Sequence, residues 1–173
     1  LTAFEESQSL AIEADYTFRE AKDLEGGKEG VKCARTIAML SYRSEKGYND
    51  RQREKDDDTV FADRSASYQR HQGDKLAARF DAYSYWYLSY EVDSNNAGRG
   101  RGGVKYALST IKASTTVVAV DSDLIFPPYE VEEMASYIKD SDYKVITSKF
   151  GHDGFLLEDT QFSEIVEPIL AKL

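Results

Sequence analysis

Apolar residues in the first part of the chain recur at helical rather than alternating intervals. Phe4, Leu10, Ala11 and Ala14 make one loose stripe. Val31, Ala34, Ile37, Ala38 and Leu40 make a second that ends near Ser44, and a glycine-bearing break (Glu25, Gly26, Gly27, Gly30) separates the two. From 43 to 58 the pattern stops. Five basic and six acidic residues there sit with almost nothing apolar, the composition of a solvated loop or a frayed helix end. Residues 65–94 read as one or two helices interrupted near Gly73. Tyr83, Tyr85, Trp86, Tyr87 and Tyr90 are too dense for one stripe, so they pack on two sides, in a core or a subunit interface. A base-stacking surface would need basic neighbours that this cluster lacks.

After Asn95 the grammar changes. GRGRGG (98–103) leads into a helical stretch to about Lys112, and TTVVAV (115–120) is a short, β-branched, almost purely apolar run of the kind a buried parallel strand shows. Pro127-Pro128 opens a helix through Tyr137 and Ile138. Residues 143–147 read as a second strand, and a last helix runs from about Gln161 to the end. Helix, strand, helix, strand, helix implies a parallel sheet covered by helices. The expected fold class is therefore α/β, helical over 1–94 and α/β over 95–173.

The chain has 173 residues, of which 41% are hydrophobic, and a net charge of −9. That allows a sizeable core and argues against coating nucleic acid or an anionic membrane. No apolar run approaches the ~20 residues a membrane-spanning helix needs. The single cysteine, Cys33, rules out an internal disulfide and a multi-cysteine metal site, and reads as a small buried residue within a helix. A reducing, cytoplasmic setting is the expectation, with no metal.

Chemistry in an open parallel sheet collects just past the carboxyl ends of strands. The first strand is followed by DSDLIFPP (121–128), the second by SKFGHDGF (148–155). An acid, Asp123, then a histidine, His152, is the order that closes a Ser…Asp…His triad on a hydrolase-type sheet. The acid would orient the imidazole, and the imidazole would deprotonate a serine. The competing reading makes Asp123 a helix cap and His152 a turn residue. No Gly-x-Ser-x-Gly occurs, so a triad would be incomplete in this chain. His71, on a charged helix, is expected to face solvent. The two arginines of 98–103 lie among glycines that could cradle an anion, but a tight connection from the helical layer to the sheet is the favoured reading.

CARTIAMLSYRS (33–44), SYQRHQGDKLAARFDAYSYWYLS (67–89), GRGRGG (98–103), DSDLIFPP (121–128) and FGHDGFLLE (150–158) together resemble the homoserine O-acetyltransferases of α/β-hydrolase type. The resemblance implies a carboxyl-terminal portion of such an enzyme: residues 1–94 a helical lid, 95–173 the last strands and helices of the core. It places the triad acid at Asp123 and the triad histidine at His152. It also gives Arg35, Tyr42 and Asp153 as contacts to the amino-acid substrate. Arg35 and Tyr42 lie seven positions, two helical turns, apart and so face the same way. An arginine suits the carboxylate of L-homoserine and an aspartate its ammonium group.

The implied reaction moves acetyl from acetyl-CoA, a substrate rather than a resident cofactor, to the homoserine hydroxyl in methionine biosynthesis. A serine from the amino-terminal half outside this chain would be acylated in turn. A homodimer through the lid helices is implied as well. Readings that share these motifs are an esterase-like hydrolase, a serine O-acyltransferase and a homoserine O-succinyltransferase. A dimerisation fragment without catalysis is the reading from another class.

Overall fold

Two units make up the chain in the computed structural model, which describes residues 1–20, 23–61 and 63–172. One comprises Leu1–Ser41 and Tyr48–Asn95, the other Tyr42–Gly47 and Asn96–Leu173. The six residues Tyr42–Gly47 thus belong with the α/β unit although they lie early in the sequence. No described helix is long and apolar enough to cross a membrane.

The helical unit is built from α1 (Thr2–Glu13), α2 (Thr17–Glu20), α3 (Lys28–Tyr42), α4 (Glu45–Gln52), α5 (Asp63–Ala77) and α6 (Ala82–Ser94), with α3 and α4 reaching into the other unit through the linking segment. Its core joins Ile12, Phe18, Val31, Ala34, Ala77 and Ala82. Phe18 packs on Tyr83 at 4.7 Å between ring centres, and the Tyr83 hydroxyl donates to the Phe18 carbonyl at 2.6 Å, so the half-buried Tyr83 ring has its polar end satisfied. The Asp15 carboxylate takes the N–H of Thr17 at 2.9 Å and of Gly30 at 3.0 Å, tying the end of α1 to the first turn of α3.

Several sequence expectations are corrected here. Ile12, Gln8 and Ser9 face inward on α1, while Phe4 and Leu10 are exposed. The buried face of α3 is Val31, Ala34, Ala38 and Met39, which leaves Leu40 and Cys33 exposed. Gly30 also lies on that face, where the facing chain comes close: a Cβ there would meet the Ile12 backbone at 2.6 Å. Gly73 does not break a helix. It lies inside α5, where a side chain would collide with the Lys32 backbone, and the interruption falls at 78–81, ended by Asp81, whose carboxylate caps α6 through the Ser84 N–H. Of the two readings of the charged stretch, solvated loop or helix end, residues 45–52 take the helical one. His71 is exposed, as expected. Tyr83, Tyr85 and Trp86 pack against the core while Tyr87 and Tyr90 remain exposed.

The α/β unit continues with α7 (Val104–Ser109), β1 (Thr115–Val120), α8 (Pro128–Ser136), β2 (Ser141–Ile146), a 3-10 turn (Gly151–Asp153), α9 (Gly154–Leu157) and α10 (Asp159–Leu170). β1 and β2 pair in parallel, Thr115 opposite Ser141 through Val120 opposite Ile146. Parallel pairing requires a crossover, and α8 supplies it: Pro128 at its first turn suits a position whose N–H has no helical partner. Val117, Ala135 and Ile138 form the small core between crossover and sheet. Because the strands are parallel and in register, both carboxyl ends open at the same edge of the sheet.

Candidate active site

Asp121-Ser122-Asp123 leaves β1 at that edge, and residues 147–153 leave β2 beside it. The two loops are laced by short polar side chains. Ser122 Oγ donates to the Ser148 carbonyl at 2.6 Å and accepts from the Gly151 N–H at 3.0 Å. The Ser148 N–H donates to Asp121 Oδ1 at 2.9 Å, and Ser148 Oγ accepts from the Phe150 N–H at 3.1 Å. Gly151, at φ +67°, turns the chain so that His152 points back towards β1.

There His152 Nδ1 lies 2.8 Å from Asp123 Oδ2. The other carboxylate oxygen accepts from the Ile125 N–H at 2.8 Å and the Phe126 N–H at 3.0 Å, so Asp123, only 7% exposed, is held from both sides. An ionised carboxylate only accepts, which assigns the proton to Nδ1 and leaves Nε2 as the basic nitrogen. Tyr42, Phe126 and Phe155 surround the imidazole at 5.7, 5.5 and 5.3 Å between ring centres. The result is an imidazole with a fixed tautomer and a mostly apolar collar.

Burial works against ionisation of Asp123, but the bonds from His152, Phe126 and Ile125 outweigh it and hold its carboxyl below the ordinary value of 3.8. A depressed folded value means that the ionised form stabilises the fold. This contribution is present above pH 3.8 and is lost as pH falls through the lower folded value. Acid titration followed by near-ultraviolet circular dichroism should show the aromatic collar loosening only below that pH, and Asp123→Asn should remove this part of the acid transition. An unchanged transition in the variant would remove the carboxylate from the account.

A second set of contacts, which the sequence did not signal, comes from the Tyr42–Gly47 segment. Ser44 Oγ donates to the Lys149 carbonyl and accepts from the Gly47 N–H at 3.1 Å, so one hydroxyl caps α4 and anchors the histidine loop. A Cβ on Gly47 would strike the Lys149 carbonyl oxygen, and one on Gly151 would come within 2.6 Å of the Ser44 nitrogen. Arg43 Nε stands 2.9 Å from Asp153 Oδ2 as an ion pair; the contact lies off the N–H axis, so it is not also a linear hydrogen bond. Of the residues singled out from sequence, Tyr42, Asp123, His152 and Asp153 are thus brought together in the α/β unit. Arg35 is on α3, in the helical unit.

A cleft of about 460 Å³ runs beside β1 from His152 and Asp123 past Phe126 and Phe155 to Met134. Val117, Val118, Ala119 and Val120 all line it. Successive strand residues point to opposite faces, so a cleft touching four in a row follows the strand's flank. Among the described residues β1 is paired only with β2.

No protein-family model matches the chain. Its sequence is similar to homoserine O-acetyltransferases: that of Cyclobacterium marinum is 41% identical over 170 residues, which cover 96% of this chain and 47% of the relative. The chain spans about half the length of the curated relatives it matches. Among solved structures, homoserine O-acetyltransferase from Staphylococcus aureus is 30% identical, with a TM-score of 0.73 over 98% of this chain and 46% of that one. Esterase E22 superposes with a TM-score of 0.83 at 19% identity, covering 98% of this chain and 50% of the esterase. An α/β-hydrolase from a deep-sea metagenome does so at 0.66 and 12% identity, covering 99% and 51%. The fold is a partial α/β-hydrolase fold.

Proposed function

We propose that this chain, similar in sequence to the homoserine O-acetyltransferases, is the part of such an acyltransferase that carries the acid and the base of its triad. The observation that carries this reading is the 2.8 Å contact between His152 Nδ1 and Asp123 Oδ2 at the carboxyl ends of adjacent parallel strands. The serine is contributed by the half of the enzyme outside this chain, docked along the β1 flank. His152 Nε2 removes the serine proton as the hydroxyl attacks the thioester of acetyl-CoA, and returns it to the departing thiol. In the second half-reaction the same nitrogen takes the proton of the homoserine hydroxyl as it attacks the acyl-serine, and hands it back to the serine oxygen. Asp123 stabilises the imidazolium each time. Arg35 and Tyr42 bind the acceptor's carboxylate end and Asp153 its ammonium. The setting is cytoplasmic, and the lid helices meet a second copy in a homodimer.

Arg35→Ala tests the acceptor assignment. A lost charge-assisted contact is worth ~1.5–3 kcal/mol. The variant, assembled with the serine-bearing half, is expected to weaken use of homoserine by that amount while acylation by acetyl-CoA is unchanged. Single-turnover measurement of each half-reaction separates the two, and equal slowing of both would sink the assignment. A hydrolase reading is favoured by one observation: Asp153 is already paired with Arg43, and water as acceptor needs no ammonium partner. Partition of the acyl-enzyme between homoserine and water decides between them.

A further inference from the structure

We propose that Arg43 is a positioning residue for the general base, the far end of a clasp by which the Tyr42–Gly47 segment fixes the histidine loop. The inference rests on the assignment of His152 as the base. Three contacts of different kinds converge on residues 149–153. Ser44 bonds the Lys149 carbonyl, Gly47 and Gly151 allow the two backbones to touch, and Arg43 holds the Asp153 carboxylate. Asp153 is the residue next to His152, in the same 3-10 turn, so a fixed Asp153 side chain fixes the turn that aims the imidazole. From the other side the Gly151 N–H on Ser122 and Asp123 itself hold the turn.

Both partners of the ion pair are about four-fifths buried, at 20% and 21% side-chain exposure. Water screens such a pair less than it would a surface pair, and its geometry is correspondingly better defined. Arg43 touches no reacting atom. Its effect on the reaction passes through the orientation of the His152 turn, and it serves both half-reactions because the same base works in both.

The test uses Arg43→Gln, Arg43→Lys and Asp153→Asn in the chain assembled with the serine-bearing half, and p-nitrophenyl acetate as the acyl donor. That ester has no ammonium group, so loss of an acceptor contact cannot slow its attack on the enzyme. Burst amplitude counts competent sites, and burst rate reads the geometry of the base. Misplacement by about 1 Å costs on the order of 10²-fold. Arg43→Gln and Asp153→Asn are each expected to lower the burst rate by that order with amplitude retained. The double variant should be no slower than either, and Arg43→Lys should recover most of the rate. Burst rates unchanged in both single variants would overturn the proposal.

If Arg43→Gln fails to fold, the near-isosteric Asp153→Asn decides by the same criterion. A burst that persists in His152→Ala refutes the base assignment, whatever Arg43 does. Should the unsubstituted protein give no burst, the downfield Nδ1 proton of His152 is read by NMR, with His71 as the internal control. Its loss in Asp153→Asn and Arg43→Gln supports the clasp, and its persistence in both overturns it.

Discussion

Asp123→Asn is expected to slow acyl-enzyme formation by about 10⁴-fold. The reason lies in the two backbone N–H groups of Ile125 and Phe126 that converge on Oδ1. In the variant they would demand the amide oxygen at that position, which places the amide NH2 where Oδ2 faces His152. A donor there requires Nδ1 to be the unprotonated nitrogen, so the proton moves to Nε2 and the base loses its lone pair on the catalytic side. Fold and burst amplitude should survive, since the amide is nearly isosteric. The test is single-turnover acylation in the assembled enzyme. A loss of less than tenfold would mean that the 2.8 Å contact only braces the turn.

Purified by itself, the 173-residue chain is expected to show no burst with an activated ester and to self-associate. No Gly-x-Ser-x-Gly is present for His152 to activate. The flank of β1 that carries the cleft has no described strand partner, and an unpaired strand edge invites pairing between copies. Sedimentation should show concentration-dependent oligomers, and adding a separately made serine-bearing half should dissolve them and restore the burst. A burst from the chain alone that His152→Ala abolishes would reveal a different nucleophile, with the exposed Cys33 the first to substitute.

The strands and the meeting of Asp123 with His152 were legible in the sequence because each rests on a local signal. TTVVAV is too short for an independent helix and rich in β-branched residues, which favours a buried strand, and parallel strands place their carboxyl ends side by side. The clasp was not legible. Ser44 and Gly47 sit in a stretch whose charge resembles a solvated loop, and nothing local distinguishes a serine that caps a helix from one that also bonds a carbonyl 105 residues away. Gly73 and Gly30 misled in the same way: both are glycine for the approach of a distant backbone, a property of the partner rather than of the sequence around them. Cys33 and Leu40 came out on the wrong side because the inner face of α3 runs through Gly30, Val31, Ala34, Ala38, Met39 and Ser41, a mixed stripe that hydrophobicity alone does not pick out.

The Ser44–Lys149 bond also orders events in time. At ribosomal speeds of roughly 5–20 residues per second, residue 44 is made about 5–20 s before residue 149, which lies 105 positions later. Helical turns form in well under a millisecond, so α3 and α4 can exist long before their counterpart has been synthesised. Closing a loop of that length is a late, high-contact-order step. The ends of α3 and α4 therefore wait with an unoccupied polar surface, and the histidine turn acquires its final geometry only once the segment that holds it is met. Refolding monitored at the His152 ring should lag the appearance of helix, making that turn one of the last features of the molecule to become native.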